Sequence, residues 1–268
     1  MQRIVSLCPS NTEILWALGL GDQIVGVDDY SDWPKEVNHL PRLGPDLSID
    51  MERVQSLNPD WAVASLSVPG MEKNIESLRQ LKIPFITLYP GSLYDIPQDF
   101  IKVAQQAGVE SRGRELAAQF TKKLESIENR IPRDQPAPRL YWEWWPKPVF
   151  TPGRENWLTE VSQIVGAVNV FGDEGGQSVK TDWETVAARR PDYTLAVWTG
   201  VPIHKVRKEK ITGRPAWQGL SFAADDRVHI LEEGWYCRPS QRILTGIEHL
   251  AHLLYPDRFD PPNPQRPL

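Results

Sequence analysis

Short apolar runs of four or five residues recur along the first ninety residues, and segments with helical spacing separate them. The runs cover residues 4–7, 24–27, 60–64 and 84–88. Runs of this length between turn-forming residues are typical of buried strands. Strands that alternate with helices indicate a parallel sheet, because parallel neighbours need a crossover connection. The first part of the chain is therefore predicted to be an α/β lobe.

The first helix is predicted to begin at residues 10–13, whose sequence Ser-Asn-Thr-Glu is a capping box. In a capping box the first side chain accepts a hydrogen bond from the third residue of the helix, and that residue's side chain reaches back. Ile14, Leu15 and Leu18 then fall on one face, and Gly19 ends the helix.

A long helical pattern occupies residues 93–131, and a second series of strands and helices follows it. Strands are predicted at residues 140–142, 194–198 and 228–231, with helices at 156–165 and 240–254. The pattern predicts two α/β lobes, at residues 1–92 and 132–268, joined by a helical linker region at 93–131 with one long bridging helix. The tail after Tyr255 is predicted to be frayed, since it contains Pro261, Pro262, Pro264 and Pro267.

An internal repeat supports two lobes. Asp50, Glu52 and Val54, followed by Pro59-Asp60, recur 132 residues later as Asp182, Glu184, Val186 and Pro191-Asp192. Each leading aspartate is predicted to cap a helix, and each glutamate lies in the first turn, where the helix dipole favours a negative charge. Capping by itself explains both acids.

Composition narrows the class of protein. The chain has 268 residues, a formal net charge of −5 and 40% hydrophobic residues, as in an ordinary soluble globular protein. That charge argues against a nucleic-acid partner, and the apolar stretches are too short to span a bilayer. No secretory signal follows Met1. The protein is therefore expected to be periplasmic or extracellular if a leader has been removed, and cytoplasmic if Met1 is the native start.

Candidate chemistry is sparse. Cys8 and Cys237 are spaced as neither a redox pair nor a zinc cluster, and they are expected to be small buried hydrophobes. No catalytic arrangement and no metal site is predicted. The 11 tryptophans are more informative, because a Trp ring is hard to bury completely.

Aromatic residues fall on the predicted loops at the carboxyl ends of strands, where open α/β sheets bind ligands. We expect a site for a large, planar or amphipathic ligand there. The ligand-binding candidates are Tyr30, Trp33, Ser65, Trp144, Trp145, Trp235, Tyr236 and Arg238. The Arg238 guanidinium is expected either to hydrogen-bond the ligand or to form a structural salt bridge. A tryptophan can instead pack in the core or at its rim without contacting a ligand. This role is expected for Trp142, Trp157, Trp183 and Trp198.

Several motifs together resemble one known family. They are residues 3–13, Asp29-Tyr-Ser-Asp-Trp-Pro34, Asp50-Met-Glu-Arg-Val54, Asn58-Pro-Asp60, Phe150-Thr-Pro-Gly153 and Arg238-Pro-Ser-Gln-Arg242. In this order they are similar to the class III periplasmic-binding-protein family that serves cobalamin and ferric-siderophore ABC importers. The resemblance implies two Rossmann-like lobes joined by a single long helix, with a ligand cleft between the lobes and no catalysis.

The resemblance also implies a ligand and partners. The ligand would be a large, partly apolar chelate: cobalamin or another corrinoid, haem, or a ferric siderophore. The protein would be a monomer without a resident cofactor that delivers this ligand to an ABC-transporter permease. Tyr30 matches a tyrosine that lies against the ligand, Trp144 falls where the family's cobalamin binder has a phenylalanine of the cleft, and Trp235 and Arg238 match its last-strand loop. Glu52 and Glu184 match glutamates that meet arginines of the transporter. The alternatives are a cytoplasmic corrinoid or tetrapyrrole binding or sensing protein and, with less support, an enzyme.

Overall fold

The computed structural model describes residues 1–265 and 268. The chain divides into two compact units. Unit 1 contains Met1–Pro90, Tyr94–Thr121 and Pro239–Gln241. Unit 2 contains Gly91–Leu93, Lys122–Arg238 and the residues from Arg242 onward. The predicted linker region, residues 93–131, is therefore shared between the two units.

Unit 1 is built on a parallel sheet of four strands. The strands are β1 (Ile4–Ser6), β2 (Ile24–Val27), β3 (Trp61–Ser65) and β4 (Phe85–Leu88), in the order β2-β1-β3-β4. The helices are α1 (Pro9–Ala17), α2 (Met51–Ser56), α3 (Glu72–Gln80), α4 (Ile96–Ala107) and the first part of α5 (Glu110–Glu128). All four strands were predicted from the apolar runs. Val5, Leu7, Ala62 and Leu78 form part of the buried apolar core.

Close packing of α4 on α5 depends on two glycines. Gly108 ends α4 in the left-handed region at φ 73°, a conformation that glycine adopts without strain. A Cβ at Gly113 in α5 would lie 2.4 Å from the Cβ of Ala104 in α4, so only glycine allows this approach. Phe100 and Phe120 then meet edge to face at 5.7 Å between ring centroids.

The predicted capping box of the first helix is wrong. The helix begins at Pro9, its N-cap residue is Cys8, and no side chain caps it. Proline suits the first helical position because its fixed φ is helical and it has no N–H to leave unbonded. Glu13 is fully buried, and its Oε2 accepts a hydrogen bond from Ser240 Oγ, a residue of the same unit.

Unit 2 carries a second parallel sheet and a small antiparallel one. The strands in chain order are β5 (Arg139–Glu143), β6 (Trp145–Pro146), β7 (Val149–Pro152), β8 (Val168–Asn169), β9 (Ser178–Thr181), β10 (Tyr193–Ala196) and β11 (Val228–Ile230). The helices are α6 (Trp157–Ile164), α7 (Trp183–Ala188), α8 (Glu209–Thr212), α9 (Glu233–Tyr236) and α10 (Ile243–Leu254). The parallel sheet has the order β11-β10-β5-β8, and the antiparallel sheet has the order β6-β7-β9.

The antiparallel sheet was not predicted from the sequence, because Trp145-Pro-Lys-Pro148 lacks an alternating pattern and reads as a loop.

The carboxyl-terminal tail remains packed as far as Phe259, which is buried, with its ring centroid 4.2 Å from Cζ of the Arg130 guanidinium. Of the predicted frayed tail, Pro267 lies outside the described residues.

Both units have parallel sheets with helices, so the predicted α/β class and the two lobes are confirmed. The predicted long helix is α5, which contributes to unit 1 up to Thr121 and to unit 2 from Lys122. Within the part of the chain that the structure describes, no helix is long and apolar enough to cross a membrane.

Candidate functional site

The carboxyl ends of the parallel strands carry most of the predicted ligand-binding residues. In unit 1 these ends are Ser6, Val27, Ser65 and Leu88, and in unit 2 they are Glu143, Asn169, Ala196 and Ile230. Loops at this edge bind ligands in open α/β sheets, because the strands stop there and the connections diverge.

A buried hydroxyl network shapes this edge in unit 1. Thr12 Oγ1 donates to Ser6 Oγ at 2.8 Å and lies 2.7 Å from Ser31 Oγ. Ser31 Oγ donates to Asp28 Oδ1 at 2.5 Å, and Tyr30 N donates to Asp28 Oδ2 at 2.8 Å. Because these bonds link β1, α1 and the loop after β2, they hold the backbone of Tyr30 in place.

The predicted residues of unit 1 differ in exposure. Tyr30 is 49% exposed, Trp33 is half-buried, and Ser65 is buried with its hydroxyl 2.9 Å from Ser67 Oγ. Tyr30 is therefore the predicted residue of unit 1 with the most surface to offer a ligand.

Sequence reasoning missed other exposed apolar side chains at the same edge. Tyr89 directly follows β4 and is 64% exposed, and Leu47 and Val68 are exposed on the loops after β2 and β3. The sequence signal for Tyr89 is a large aromatic residue placed between a buried strand and Pro90-Gly91. With Tyr30 they form an apolar set that spans several strand ends.

Both cysteines are unreactive by environment. Burial, with the nearby Asp28 carboxylate adding to it, raises the pKa of the Cys8 thiol to about 12. Burial also raises the pKa of the Cys237 thiol far above its usual range, and Thr199 Oγ1 lies 3.8 Å from its sulfur. Both thiols are protonated at neutral pH, so neither is a nucleophile.

In unit 2, two adjacent tryptophans stand at the junction of β5 and β6. Trp144 N donates to Phe150 O at 2.9 Å, and Trp144 O accepts from Thr199 N at 3.2 Å. Trp144 is half-buried, and its indole N–H is buried without a hydrogen-bond partner. A buried N–H in this state lacks the bond that normally offsets its desolvation. Trp145 is 41% exposed, and its own indole N–H donates to Lys147 O.

The loop after β11 places its two aromatic residues differently. Trp235 is half-buried and lies edge-on to His249 at 5.5 Å between centroids. Its carbonyl packs so closely on α10 that a Cβ at Gly246 would lie 2.3 Å from the oxygen. Tyr236 is 0% exposed, and its hydroxyl lies 2.9 Å from His249 Nδ1. In this conformation Tyr236 offers no surface to a ligand.

The charges of this loop are internally matched. Arg238 is mostly buried, and its Nε and Nη2 lie 3.1 and 3.0 Å from Glu233 Oε2. Of the two roles expected for Arg238, this geometry supplies the structural salt bridge, and ligand contact stays a prediction. Burial lowers the pKa of His249 to about 4 and raises the pKa of Tyr236 well above its usual range, so both rings are neutral at pH 7.

The two predicted docking glutamates occupy matching places. Glu52 and Glu184 are exposed in the first turns of α2 and α7. The preceding aspartates cap these helices, with Asp50 Oδ1 accepting from Arg53 N at 3.1 Å and Asp182 Oδ1 from Thr185 N at 2.7 Å. Capping therefore belongs to the aspartates, and both glutamate side chains face solvent.

A buried ion pair behind the tryptophan loop was not identified from the sequence. Glu143, the last residue of β5, is fully buried and accepts two hydrogen bonds of 2.6 Å from Arg214. The partners are 71 residues apart, so no local pattern marks them. For residues 1–265 and 268, no group of three or more His, Cys, Asp or Glu side chains could hold a metal ion.

Comparison with known proteins agrees with this architecture. Residues 4–233 match the family model described as periplasmic binding protein. An uncharacterized ABC transporter substrate-binding lipoprotein of Bacillus subtilis is 30% identical over 96% of this chain and 81% of its own length. The crystal structure of the periplasmic vitamin B12 binding protein of Vibrio cholerae is 28% identical, with a TM-score of 0.79 over 94% of this chain and 96% of that one.

A second solved structure is similar in fold. The periplasmic haem-binding protein of Roseiflexus sp. RS-1 is 24% identical, with a TM-score of 0.85 over 95% of this chain and 98% of that one. The family match covers most of the chain, and it agrees with parallel sheets whose strand-end loops carry exposed aromatic residues. The chain therefore belongs to the periplasmic binding protein family.

Proposed function

We propose that this protein binds a large, partly apolar chelate, such as a corrinoid, haem or a ferric siderophore, and delivers it to the permease of an ABC importer. Family membership and the substrate-binding relative support the transport role. The vitamin B12 binding protein of V. cholerae supports the class of ligand. The proposed role is binding without turnover and without a resident cofactor. The lipoprotein relative of B. subtilis and the periplasmic protein of V. cholerae support a location outside the cytoplasmic membrane.

The observation that carries the proposal is the presence of accessible aromatic rings at the strand ends of each unit. Tyr30 and Tyr89 are exposed in unit 1, and Trp145 is exposed beside half-buried Trp144 in unit 2. A fully covered aromatic ring buries about 150–250 Å². Because these rings are only about half exposed, a ligand removes roughly 60–160 Å² of surface from each. At about 25 cal/mol per Å² this contributes about 2–4 kcal/mol per ring before association costs. A planar or macrocyclic ligand uses such rings better than a sugar or an amino acid does.

The unpartnered indole N–H of Trp144 adds a polar requirement. Because this N–H is covered in the present conformation, a ligand reaches it only when the half-buried Trp144 ring turns outward. Such a ligand should carry an acceptor at its edge, such as an amide carbonyl or a carboxylate. Corrinoids carry amides, haem carries carboxylates, and siderophores carry carbonyl oxygens, so this donor suits all three. It distinguishes them from a purely hydrocarbon ligand.

Calorimetric titration with cyanocobalamin, cobinamide, haemin and ferric siderophores tests the proposal. We expect one of these probes to bind, and the Trp144→Ala, Trp145→Ala double variant to weaken that binding at least tenfold. Tyr193→Ala is the matched control, because Tyr193 opens β10 at the opposite end of the same sheet. The proposed site is misplaced if the double variant retains affinity within twofold of wild type.

Docking to a permease is tested separately with Glu52→Gln and Glu184→Gln. Exposed charge pairs contribute only about 0–1 kcal/mol each, so they orient docking more than they tighten it. We expect the double variant to keep its ligand affinity and melting temperature and to lose permease-dependent uptake, most clearly at low salt. Normal permease-dependent uptake in the double variant would show that these glutamates are not docking residues. Ligand binding without any cognate permease would favour an intracellular binding role.

A further inference from the structure

The Glu143 carboxylate is saturated with directional hydrogen bonds. Besides the two from Arg214, Oε2 accepts from the Tyr141 hydroxyl at 2.9 Å and Oε1 accepts from Trp198 Nε1 at 3.0 Å. Trp198 lies two residues beyond Ala196, the last residue of β10, so the carboxylate joins the ends of two neighbouring strands. Each donor has one preferred direction, and together they leave the carboxylate a single orientation.

The Arg214 guanidinium is held just as firmly. It lies over the rings of Trp183 and Trp217, 4.6 and 4.4 Å from their centroids. Trp217 Nε1 in turn donates to Trp183 O at 2.9 Å. Since Trp183 is the first residue of α7, the ion pair joins the end of β5 to the start of α7. Stacking on both rings uses the planar shape of arginine, which lysine lacks.

Stability alone gives no reason for this pair. Burying two charges costs desolvation energy, and well-packed apolar residues of similar size are often as stable or more so. Unit 1 provides the apolar version at the same place in its sheet. Ile4 pairs with Trp61 in β1 and β3, and Leu140 pairs with Tyr193 in β5 and β10. These pairs make Ile4 and Leu140 equivalent positions of the two sheets. Leu7, three residues after Ile4, is therefore equivalent to Glu143, three residues after Leu140, and Leu7 is buried.

We propose that Glu143 and Arg214 are positioning residues for the ligand-binding face of unit 2. The role rests on the proposed function, because the face they orient is the one assigned to the ligand. Glu143 precedes Trp144, and Glu143 O accepts from Val197 N at 2.9 Å while Trp144 O accepts from Thr199 N. Rotation of the carboxylate or loss of its partner therefore shifts Trp144 and Trp198 together. The pair sets the direction of the unpartnered Trp144 N–H.

The test separates positioning from folding with the double variant Glu143→Leu, Arg214→Met. It removes both buried charges together, but it leaves the Tyr141 hydroxyl and Trp198 Nε1 without their acceptor. We therefore expect it to fold with a melting temperature several degrees below wild type. We expect its Kd for the better bound of two probes, cyanocobalamin and haemin, to rise at least tenfold. A Kd within twofold of wild type in the folded double variant overturns the proposal.

A matched control removes another ion pair of the same unit. Lys123→Met, Glu248→Leu eliminates the 2.6 Å pair between α5 and α10 and should leave the Kd unchanged. Arg214→Lys covers the case in which the double variant does not fold. It keeps the charge but loses the bidentate fork, so its Kd should also rise at least tenfold, and an unchanged Kd overturns the proposal.

If wild type binds neither probe, and none of the cobinamide and ferric siderophore probes used to test the proposed function, that function fails. A ligand-independent measurement then decides the role of the pair. In ¹H–¹⁵N spectra we expect the indole signals of Trp144 and Trp145 to shift or broaden in the double variant and to stay unchanged in the Lys123, Glu248 control. Neither indole touches the pair through a hydrogen bond of its own in the described structure. Unchanged Trp144 and Trp145 signals in the double variant would therefore overturn the positioning role.

Discussion

The parallel sheets of unit 1 and unit 2 have matching strand orders, β2-β1-β3-β4 and β8-β5-β10-β11. The same contacts anchor their amino-terminal edges. Arg3 N donates to Asp60 Oδ2 at 2.7 Å, and Arg139 N donates to Asp192 Oδ2 at 2.8 Å. Both arginine side chains also donate to the carbonyls that follow α2 and α7. The internal repeat of the sequence is therefore a repeat of structure.

The carboxyl edges of the two sheets differ in chemistry. In unit 1 small hydroxyl side chains, with Thr12 at the centre, tie the loops together. In unit 2 the Glu143–Arg214 pair and its tryptophans do so. One scaffold thus accepts two different edges, because the strands are held by backbone bonds and by contacts at the opposite end. The carboxyl edge is the part of each sheet whose chemistry differs between the units.

The largest effect is expected from removing the buried charge of Glu143, because the stability of unit 2 depends on the Glu143–Arg214 pair. Glu143→Gln leaves Arg214 buried without its counter-charge, and we expect a loss of about 3–5 kcal/mol in the free energy of unfolding. Urea denaturation measures it. Lys123→Met, which breaks a partly exposed pair, should cost only about 0–1 kcal/mol. A loss below about 1 kcal/mol for Glu143→Gln would mean that the two edges differ in composition but not in energetics.

The next effect concerns a buried acid of unit 1 and its response to pH. Asp99 in α4 has one carboxylate oxygen without a hydrogen-bond partner, and burial raises its pKa to about 7. The folded protein keeps this proton between about pH 4 and 7 while the unfolded chain releases it. Stability from this group is therefore complete at low pH and is lost as the pH rises to about 7, at about 1.4 kcal/mol per pH unit or less.

Asp99→Asn should remove this dependence, so the variant should gain melting temperature over wild type as the pH rises from 5 to 8. Exposed Asp22 in the same unit supplies the control, and Asp22→Asn should leave the pH profile unchanged. A constant difference between Asp99→Asn and wild type at all pH values would show that the carboxyl is ionised in the folded protein.

A smaller effect is expected from Gly246→Ala, which tests whether α10 holds Trp235 in place. Gly246→Ala places a Cβ 2.3 Å from the Trp235 carbonyl oxygen, so the loop must move. We expect a loss of about 1–3 kcal/mol in unfolding free energy, as for other overpacked sites, together with weaker ligand binding. Gly175→Ala is the matched control, since its added Cβ meets no atom within 4 Å. Equal stability and affinity for Gly246→Ala would show that Trp235 is not held by α10.

The smallest effect compares the matched caps of α2 and α7. Asp50→Ala and Asp182→Ala each remove one N-cap hydrogen bond, and each should lower the melting temperature by a few degrees. The bond from Thr185 lowers the pKa of Asp182. Its contribution is therefore present above pH 4 and is lost as the pH falls through the lowered pKa. Thermal melts at pH 7 and pH 3 check this, and clearly unequal losses at pH 7 would show that the repeat is not energetically symmetric.

Much of the scaffold could be predicted from the sequence because its signals are local. Apolar runs at residues 4–7, 24–27 and 60–64 mark strands wherever they pack, and Asp50 and Asp182 cap helices through atoms three residues away. The same local logic failed at Ser10, where Pro9 begins the helix. Glu13 does not complete a capping box there, because its side chain is buried and accepts a hydrogen bond from Ser240 Oγ.

The candidate site was predictable only in outline. Loops at strand ends indicate where ligands bind, so Tyr30 and Trp145 could be named and are indeed exposed. Adjacent Trp235 and Tyr236 could not be told apart, because one turn of α9 sends Tyr236 against Trp142 and His249. Whether these residues contact a ligand stays a prediction.

By itself the sequence determined the strands of the first parallel sheet, three of the four strands of the second, the repeat of Asp50 and Asp182, and the family. Only the tertiary structure decided that Glu143 meets Arg214, 71 residues away, in the middle of an apolar cluster. Periodicity and capping act within a turn or a strand, whereas a buried ion pair depends on which segments the fold brings into contact. For that physical reason the chemistry behind Trp144 became visible only when β5, α7 and the segment around Arg214 had packed together.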